Sequence, residues 1–154
     1  MQIRFATKAD IPRLICLLKQ VGQVHHALRP DLFRAGAQKY DAAALEKLLS
    51  DPDRPIFAAT EEGVMVGYCF CVRQVTRDDP VLCDRKVLYI DDLCVDESCR
   101  GRGIAAALYA HTVDYARAEG CDAITLNVWT GNSAEVFYEK MGLKPQKVGM
   151  EFIL

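Results

Sequence analysis

The segment that most constrains this chain is DESCRGRGIAAAL, residues 96–108. It follows a run of strand-forming residues and places two glycines, Gly101 and Gly103, directly before a helix-forming stretch. The first turn of a helix has main-chain N–H groups without acceptors and the positive end of the helix dipole. Glycines let an anion approach those groups without meeting a Cβ atom. Because Arg100 and Arg102 add positive charge, the segment predicts a turn that binds a diphosphate.

The composition is that of one ordinary folded domain, residues 1–154. The chain has 154 residues, of which 51% are hydrophobic and 26% charged, and its formal net charge is −2. This length supports a single core, and the acidic balance disfavours nucleic-acid binding. No apolar run approaches the ~20 residues that span a bilayer, and the N-terminus lacks the apolar core of a secretory signal. We therefore expect a cytoplasmic protein that binds neither nucleic acid nor membrane.

Hydrophobic periodicity predicts a succession of strands and helices. Strand patterns are found at 2–6, 56–60, 64–74, 86–95, 123–129 and 146–154, the last forming one or two strands. Caps and glycine stops predict four helices, at about 11–21, 41–49, 103–119 and 132–141. The stretch 22–40 is expected to be irregular. This order predicts an α/β (α+β) fold in which helices pack on one sheet.

The seven cysteines show neither the paired Cys-x-x-Cys spacing of zinc sites nor the turn-rich setting of a disulfide scaffold. Most of them lie within apolar strand or helix patterns. We therefore expect reduced thiols that act as small hydrophobic side chains, and no metal site.

One alternative for the glycine segment is a dinucleotide site, because Gly101-x-Gly103-x-x-Ala106 formally satisfies the dinucleotide fingerprint. Five residues separate that motif from the preceding strand, however, and no acidic residue ends the next strand, as the fingerprint would require. A dinucleotide-dependent oxidoreductase is therefore the weaker alternative.

The pattern Arg100-x-x-Gly103-x-Ala105 resembles the Q/R-x-x-G-x-G/A pyrophosphate loop of the GNAT superfamily, the acetyl-CoA-dependent N-acetyltransferases. The preceding LYIDDLCV resembles that family's central strand, and the later NVWTGNSAEVFYEKMGL resembles its fifth strand and following helix. The motifs occur in the family's order, so the resemblance covers essentially the whole chain. It implies the GNAT fold, with a mixed sheet of about six to seven strands, about four flanking helices, and a splay between strands 4 and 5.

The resemblance also implies an activity, the transfer of an acetyl group from acetyl-CoA to a primary amine of a small molecule or peptide, by direct attack in a ternary complex. Main-chain groups of the central strand would pair with the pantetheine, and an N–H beside a bulge would polarise the thioester carbonyl. The residues that would bind acetyl-CoA are Leu93, Cys94, Val95, Arg100, Gly101, Arg102, Gly103, Ile104, Ala105 and Asn132. A non-catalytic acyl-CoA-binding sensor is the alternative, and a homodimer is compatible with the resemblance.

Three residues are catalytic candidates. Asp91 and Asp92 lie side by side within a predicted strand, where aspartate is depleted. Successive strand residues face opposite sides, so we expect only one of them, with a slight preference for Asp91, to face the acceptor amine and take its proton. Tyr138 lies where the family places the general acid that protonates the departing thiolate.

Two further features have competing interpretations. Asn132 with Glu135 fits the start of a helix, as an N-cap followed by an acid at the third position, so Asn132 is expected to cap its helix whether or not it contacts CoA. His25 and His26 are alternative bases, because histidine is a common general base near neutral pH. Without a visible partner they are expected to be surface or structural residues. The identity of the acceptor amine is left open by the sequence.

Overall fold

A single five-stranded sheet forms the centre of the protein. The structure is a computed structural model and describes residues 1–154. The strands lie in the order β1-β2-β3-β4-β5. The pairs β1–β2, β2–β3 and β3–β4 are antiparallel, and the pair β4–β5 is parallel. Their bounds are Gln2–Phe5, Ile56–Glu61, Val64–Thr76, Arg85–Val95 and Ala123–Leu126. The mixed sheet is confirmed, but the predicted count of six to seven strands is wrong.

Four helices accompany the sheet, as predicted: α1 Ile11–Leu28, α2 Ala42–Leu49, α3 Ile104–Ala118 and α4 Ala134–Lys140. The Asp41 side chain caps α2 by accepting from the Ala44 N–H at 2.8 Å. The first helix is longer than predicted, because it continues through Gly22 and carries His25 and His26 in its last turn. None of the helices is long and apolar enough to cross a membrane.

The missing strands are those predicted at 146–154. These residues form no strand, and Met150, Phe152 and Leu154 are almost fully exposed. An alternating apolar pattern makes a segment able to form a strand, but the ladder also needs a partner edge. Here a salt bridge of 2.9 Å from Glu151 to Arg29 ties the segment to the end of α1.

The core consists of two layers, one on each face of the sheet. Along β2, Ile56 and Ala58 face the layer under α1 and α2, while Phe57 and Ala59 face the layer under α3. Period-two alternation of this kind is what a strand covered on both faces requires. Cys69, Cys71 and Cys94 are buried free thiols, as predicted for small hydrophobic residues, whereas Cys16 and Cys83 are exposed.

Gly67 sets how closely α3 approaches the sheet. A Cβ atom at this position would lie 2.9 Å from the carbonyl oxygen of Cys94 and 3.2 Å from a methyl group of Leu108. Only glycine leaves room for that contact. The start of α3 is therefore packed directly against β3 and the end of β4.

Candidate active site

A β-bulge in the middle of β4 creates the site. Phe70 of β3 pairs with Asp92, but the next residue, Cys71, pairs with Ile90, so Asp91 is the extra residue. Such a bulge kinks the strand and shifts its alternation by one residue. Ile90 accordingly faces the α3 layer, whereas Cys94 faces the α1 layer.

The bulge interrupts the strict alternation from which Asp91 and Asp92 were expected to face opposite sides of the sheet. Both carboxylates lie beside the ammonium group of Lys39: its Nζ is 2.8 Å from Asp91 Oδ2, and the charge of Asp92 also acts on it. Strict alternation would have sent one of them under α3. The two acids are instead presented together to one groove.

The pairing of β4 with β5 ends at the same point. The parallel register runs from Val87 to Ile90 only, so the residues after the bulge have no partner on that side. The Asp96 N–H donates to Val66 at 2.9 Å, and alternation therefore turns the main-chain groups of Leu93 and Val95 away from β3, toward the opening. The expected splay between strands 4 and 5 is present.

Cys94 differs from Leu93 and Val95 in the direction of its main-chain groups. By the same alternation its main-chain groups face β3, opposite Tyr68, and are not on the open edge. Its thiol packs in the core, 3.6 Å from the carbonyl oxygen of Leu17, and burial raises the pKa of that thiol to about 12. A thiol of this kind stays protonated near neutrality, as expected for a structural cysteine.

A groove of about 2170 Å³ opens along this splay. It is lined by the end of α1, the segment that follows α1, the second half of β4, and α4. Among its lining residues are most of the sequence candidates and one further basic residue: His25, Lys39, Asp91, Asp92, Leu93, Cys94, Val95, Arg100, Gly101, Asn132 and Tyr138. The fold thus gathers residues more than 100 positions apart around one cleft.

Asp92 is a more basic carboxylate than an ordinary aspartate. Burial raises its pKa above the ordinary aspartate range, although the charge of Lys39 and a 3.0 Å hydrogen bond donated by the Tyr68 hydroxyl counteract part of this effect. A raised pKa makes a carboxylate a better proton acceptor near neutral pH. His25 also lies close enough for its charge to act on Asp92.

Tyr138 extends from α4 toward the same groove. Burial raises the pKa of its phenol above the ordinary value, and the nearby Cys69 and Asp92 add to that effect. Its hydroxyl is therefore protonated over the whole physiological range. A neutral phenol that lines a cleft beside a carboxylate is suited to donating a proton.

Two glycines in the left-handed region form the turn that the sequence predicts as an anion site. Gly101 and Gly103 have positive φ angles of 77° and 78°, which place them in the left-handed region, and α3 begins at Ile104. The first helical hydrogen bond is donated by Ala107 to Gly103. The main-chain N–H groups from Gly101 to Ala106, which include Ala105, therefore make no hydrogen bond within the protein. These donors are suited to binding phosphate oxygens.

Asp96 holds this turn in place. It is buried and accepts hydrogen bonds from the Ser98 hydroxyl at 2.6 Å and from the Ser98 N–H at 2.9 Å, and it forms an ion pair with Arg13. Together these contacts lower the pKa of Asp96 to about 2. The loop is thus fixed to α1 by a carboxylate that is ionised at all ordinary pH values.

The two arginines of the loop point to different surroundings. Arg100 lines the groove, and its Nε lies 3.4 Å from the carbonyl oxygen of Val95. Arg102 instead forms a salt bridge of 2.9 Å with Glu61 at the end of β2. Arg100 is therefore the arginine placed to add charge to the groove.

Asn132 directly precedes Ser133, the N-cap residue of α4, and does not occupy the predicted N-cap position itself. Its Oδ1 accepts the Ala134 N–H at 2.9 Å, and its carbonyl oxygen accepts the N–H of Glu135 at 3.0 Å. The side chain also lines the groove. The sequence predicted a strand over 123–129, whereas β5 ends at Leu126. Asn132 therefore lies beyond the end of the sheet.

Sequence reasoning missed two residues of the site, Lys39 and Tyr68. Lys39 lies in the irregular segment after α1, where no periodicity indicates a direction. Tyr68 reads as an ordinary strand residue, and its contact with Asp92 depends on the register of β3 against β4. The two adjacent aspartates, Asp91 and Asp92, were the one sequence signal that a basic partner was needed, because buried charges require an opposite charge.

Comparisons with known proteins agree with this geometry. Two mutants of the BH1408 protein from Bacillus halodurans are 31% identical to the chain, with a TM-score of 0.95; the match covers 100% of this chain and 99% or 100% of theirs. No curated protein matches the sequence significantly.

More distant structures share the fold. The aminoglycoside N-acetyltransferase AAC(6')-Iy in complex with CoA is 18% identical, with a TM-score of 0.73 over 99% of this chain and 98% of that one. An aminoglycoside acetyltransferase from an uncultured soil metagenomic sample, in complex with sisomicin, is 19% identical, with a TM-score of 0.72 over 99% and 95%.

The topology argues against the dinucleotide alternative, because that fold is built on a parallel sheet and β1 to β4 are antiparallel. The sequence matches the family model described as the acetyltransferase (GNAT) family over residues 22–143, which is more than half of the chain. The splayed sheet, the bulge and the turn of free amides therefore belong to a member of the acetyltransferase (GNAT) family.

Proposed function

We propose that this protein transfers an acetyl group from acetyl-CoA to a primary amine in a ternary complex. The observation that supports this most strongly is that one groove joins the anion-binding turn at Gly101 to the bulge at Asp91 and to Tyr138. The turn at one end of the groove would bind the phosphates of the donor. The carboxylates and Tyr138 at the other end would accept and donate protons.

The residues present fit acetyl-CoA in two respects. The free amides from Gly101 to Ala106, together with the guanidinium of Arg100, match the charge and acceptors of a diphosphate. The outward main-chain groups of Leu93 and Val95 match the amides of an extended pantetheine, which would pair with β4 as an added strand.

Each reactive group of the chain has a separate task. When bound, acetyl-CoA supplies the activated acyl group as a thioester. The Leu93 N–H, the first to face the opening after the bulge, polarises the acyl carbonyl. Asp92 takes the proton of the acceptor ammonium, because burial raises its pKa, while Asp91 orients that ammonium. Tyr138 donates a proton to the departing sulfur.

Calorimetric titration with acetyl-CoA and with desulfo-CoA tests the donor site. We expect micromolar binding that Arg100→Ala weakens by about tenfold, since a charged contact to phosphate contributes roughly 1.5 kcal/mol. Arg77→Ala, which removes the same charge from an exposed loop outside the groove, is the matched control. Absence of binding to the folded protein would overturn the proposal.

Thiol release in the presence of a panel of primary amines tests the transfer step. Tyr138→Phe should lower kcat by about a hundredfold with little effect on the Kd of acetyl-CoA, because general acid catalysis contributes about 10²–10⁴-fold. Tight binding of acetyl-CoA with no thiol released for any amine would favour the sensor alternative.

A further inference from the structure

Lys39 is held directly above the bulge by its neighbour. The Tyr40 ring stacks on Phe70, with ring centroids 6.0 Å apart and planes inclined by 22°. Phe70 is the residue of β3 that pairs with Asp92. The position of Lys39 is therefore coupled to the bulge through one aromatic contact and one strand pair, even though Lys39 belongs to an irregular segment.

The Lys39 side chain supplies a primary ammonium at the place where the acceptor is expected. Its Nζ lies 2.8 Å from Asp91 Oδ2, and 42% of the side chain remains exposed to the groove and solvent. Burial alone would lower its pKa, but the hydrogen bond to Asp91 and the charge of Asp92 outweigh burial and raise that pKa above its ordinary value. The carboxylates thus already bind a cationic amine that the chain itself provides.

An external acceptor has to displace this ammonium. Two ammonium groups at the same Asp91 oxygen would repel each other, because they carry like charges at close distance. Lys39 and a substrate amine therefore compete for one position, and in the absence of substrate Lys39 occupies it.

We propose, on the basis of the proposed function above, that Lys39 is an internal acceptor and is acetylated by the protein itself when no other amine is present. The ammonium passes one proton to the neighbouring carboxylate and from there to solvent. The freed nitrogen attacks the thioester carbonyl and forms a C–N bond. As the C–S bond breaks, Tyr138 donates a proton to the departing sulfur, and the second proton lost by the nitrogen replaces it. The products are Nε-acetyl-Lys39 and free CoA.

The modification would alter the groove. Acetylation removes the positive charge of Lys39 and its ability to form an ion pair. Asp91 would then lose the cation bound to it, and the acetylated side chain would no longer compete electrostatically with an incoming ammonium. The modified protein is therefore expected to bind cationic acceptors more readily than the unmodified one.

Intact-mass spectrometry with peptide mapping tests the proposal. The folded protein is incubated with acetyl-CoA alone, and we expect the mass of one acetyl group to be added, with Lys39 modified at least tenfold faster than any other lysine. Lys39→Arg, which keeps the charge, should abolish this single addition, and Lys47→Arg, on the exposed side of α2, should not change it. Added amine acceptor should suppress it.

Three results would overturn the inference. Equal modification of many lysines, as in the urea-unfolded protein, would indicate uncatalysed acetylation. No modification of Lys39, in a preparation that releases thiol with added amines, would leave the proposed function intact and exclude Lys39 as an acceptor. Failure to bind acetyl-CoA at all would overturn both proposals together.

Discussion

The Tyr68 hydroxyl donates a hydrogen bond of 3.0 Å to Asp92 Oδ2, from the strand next to the bulge. This bond lowers the pKa of Asp92 and so opposes the burial that raises it. Tyr68→Phe should therefore raise the pKa of Asp92 further and move the acid limb of the pH–rate profile to higher pH. The unfolding free energy should fall by about 1 kcal/mol.

The pH dependence of kcat/KM, measured with one amine acceptor, checks this shift. Tyr115→Phe is the control, since it removes a hydroxyl that bonds Arg73 at 3.2 Å outside the groove. An acid limb that stays in place in Tyr68→Phe, or that moves equally in Tyr115→Phe, would contradict the assignment of Asp92 as the base.

Asp92 is expected to reduce the stability of the fold while serving the site. Its pKa is raised in the folded protein, so folding favours the protonated form. The protein is therefore more stable below the pKa of ~3.9 that Asp92 has in the unfolded chain. This extra stability is lost as the pH rises from there through the pKa of Asp92 in the folded protein. Asp92→Asn should thus leave the unfolding free energy at pH 7 unchanged or raise it by up to about 1 kcal/mol, while transfer activity falls.

Urea unfolding at pH 4 and pH 7 measures this trade-off. Asp91→Asn serves as the comparison, because it breaks only the partly exposed pair with Lys39 and should change stability by less than about 1 kcal/mol. A clear loss of stability in Asp92→Asn at pH 7 would show that the ionised carboxylate is stabilising instead.

Asp96 shows the opposite pH behaviour. Ser98 and Arg13 lower its pKa to about 2, so its contribution is complete above the unfolded pKa of ~3.9 and is lost as pH falls toward 2. Asp96→Asn should lower the unfolding free energy at pH 7 by about 2 kcal/mol and flatten the acid dependence. Asp114→Asn, whose pair with Arg117 is exposed, should do neither in the same unfolding experiment.

Gly67 links packing to donor binding. Gly67→Ala places a methyl group 2.9 Å from the Cys94 carbonyl oxygen and forces α3 outward, which should cost about 1–3 kcal/mol. Since the free amides of the turn belong to the start of α3, the Kd of acetyl-CoA should rise as well. Gly149→Ala, which meets nothing within 4 Å, is the control for the unfolding measurement.

The exposed C-terminal residues predict self-association. Five large apolar side chains among residues 148–154 are exposed, far more than isolated surface residues would explain. Sedimentation velocity should detect a dimer that Met150→Ser with Phe152→Ser dissociates. Val81→Ser with Leu82→Ser, in another exposed loop, should leave the sedimentation coefficient unchanged.

Local signals in the sequence predicted the glycine turn well. Two glycines before an alanine-rich stretch predict a turn followed by a helix start, and α3 begins at Ile104 directly after Gly101 and Gly103. The Asn132 side chain also bonds the first turn of α4, as its spacing to Glu135 suggested, although Ser133 occupies the N-cap position. Features of this kind depend on residues a few positions apart, so they can be derived without the fold.

Features that depend on tertiary packing could not be derived in the same way. The run KVLYIDDLCV is apolar on both sides of the acidic pair, so no alternation reveals the bulge at Asp91. The first helix was expected to end near Gly22, because a glycine costs a helix about 1 kcal/mol. Packing at its far end, where the His25 ring lies 5.1 Å from Phe33, accompanies the longer helix.

Asp91, the extra residue in the bulge of β4, is not needed for the packing of the core. Ile90 faces α3, and Asp92, Leu93 and Cys94 would continue that alternation without interruption if Asp91 were deleted. Both layers would keep every side chain they now hold. A chain shortened by this one residue would therefore retain its architecture while losing the partner of Lys39, which means that the extra residue contributes to the groove rather than to the core.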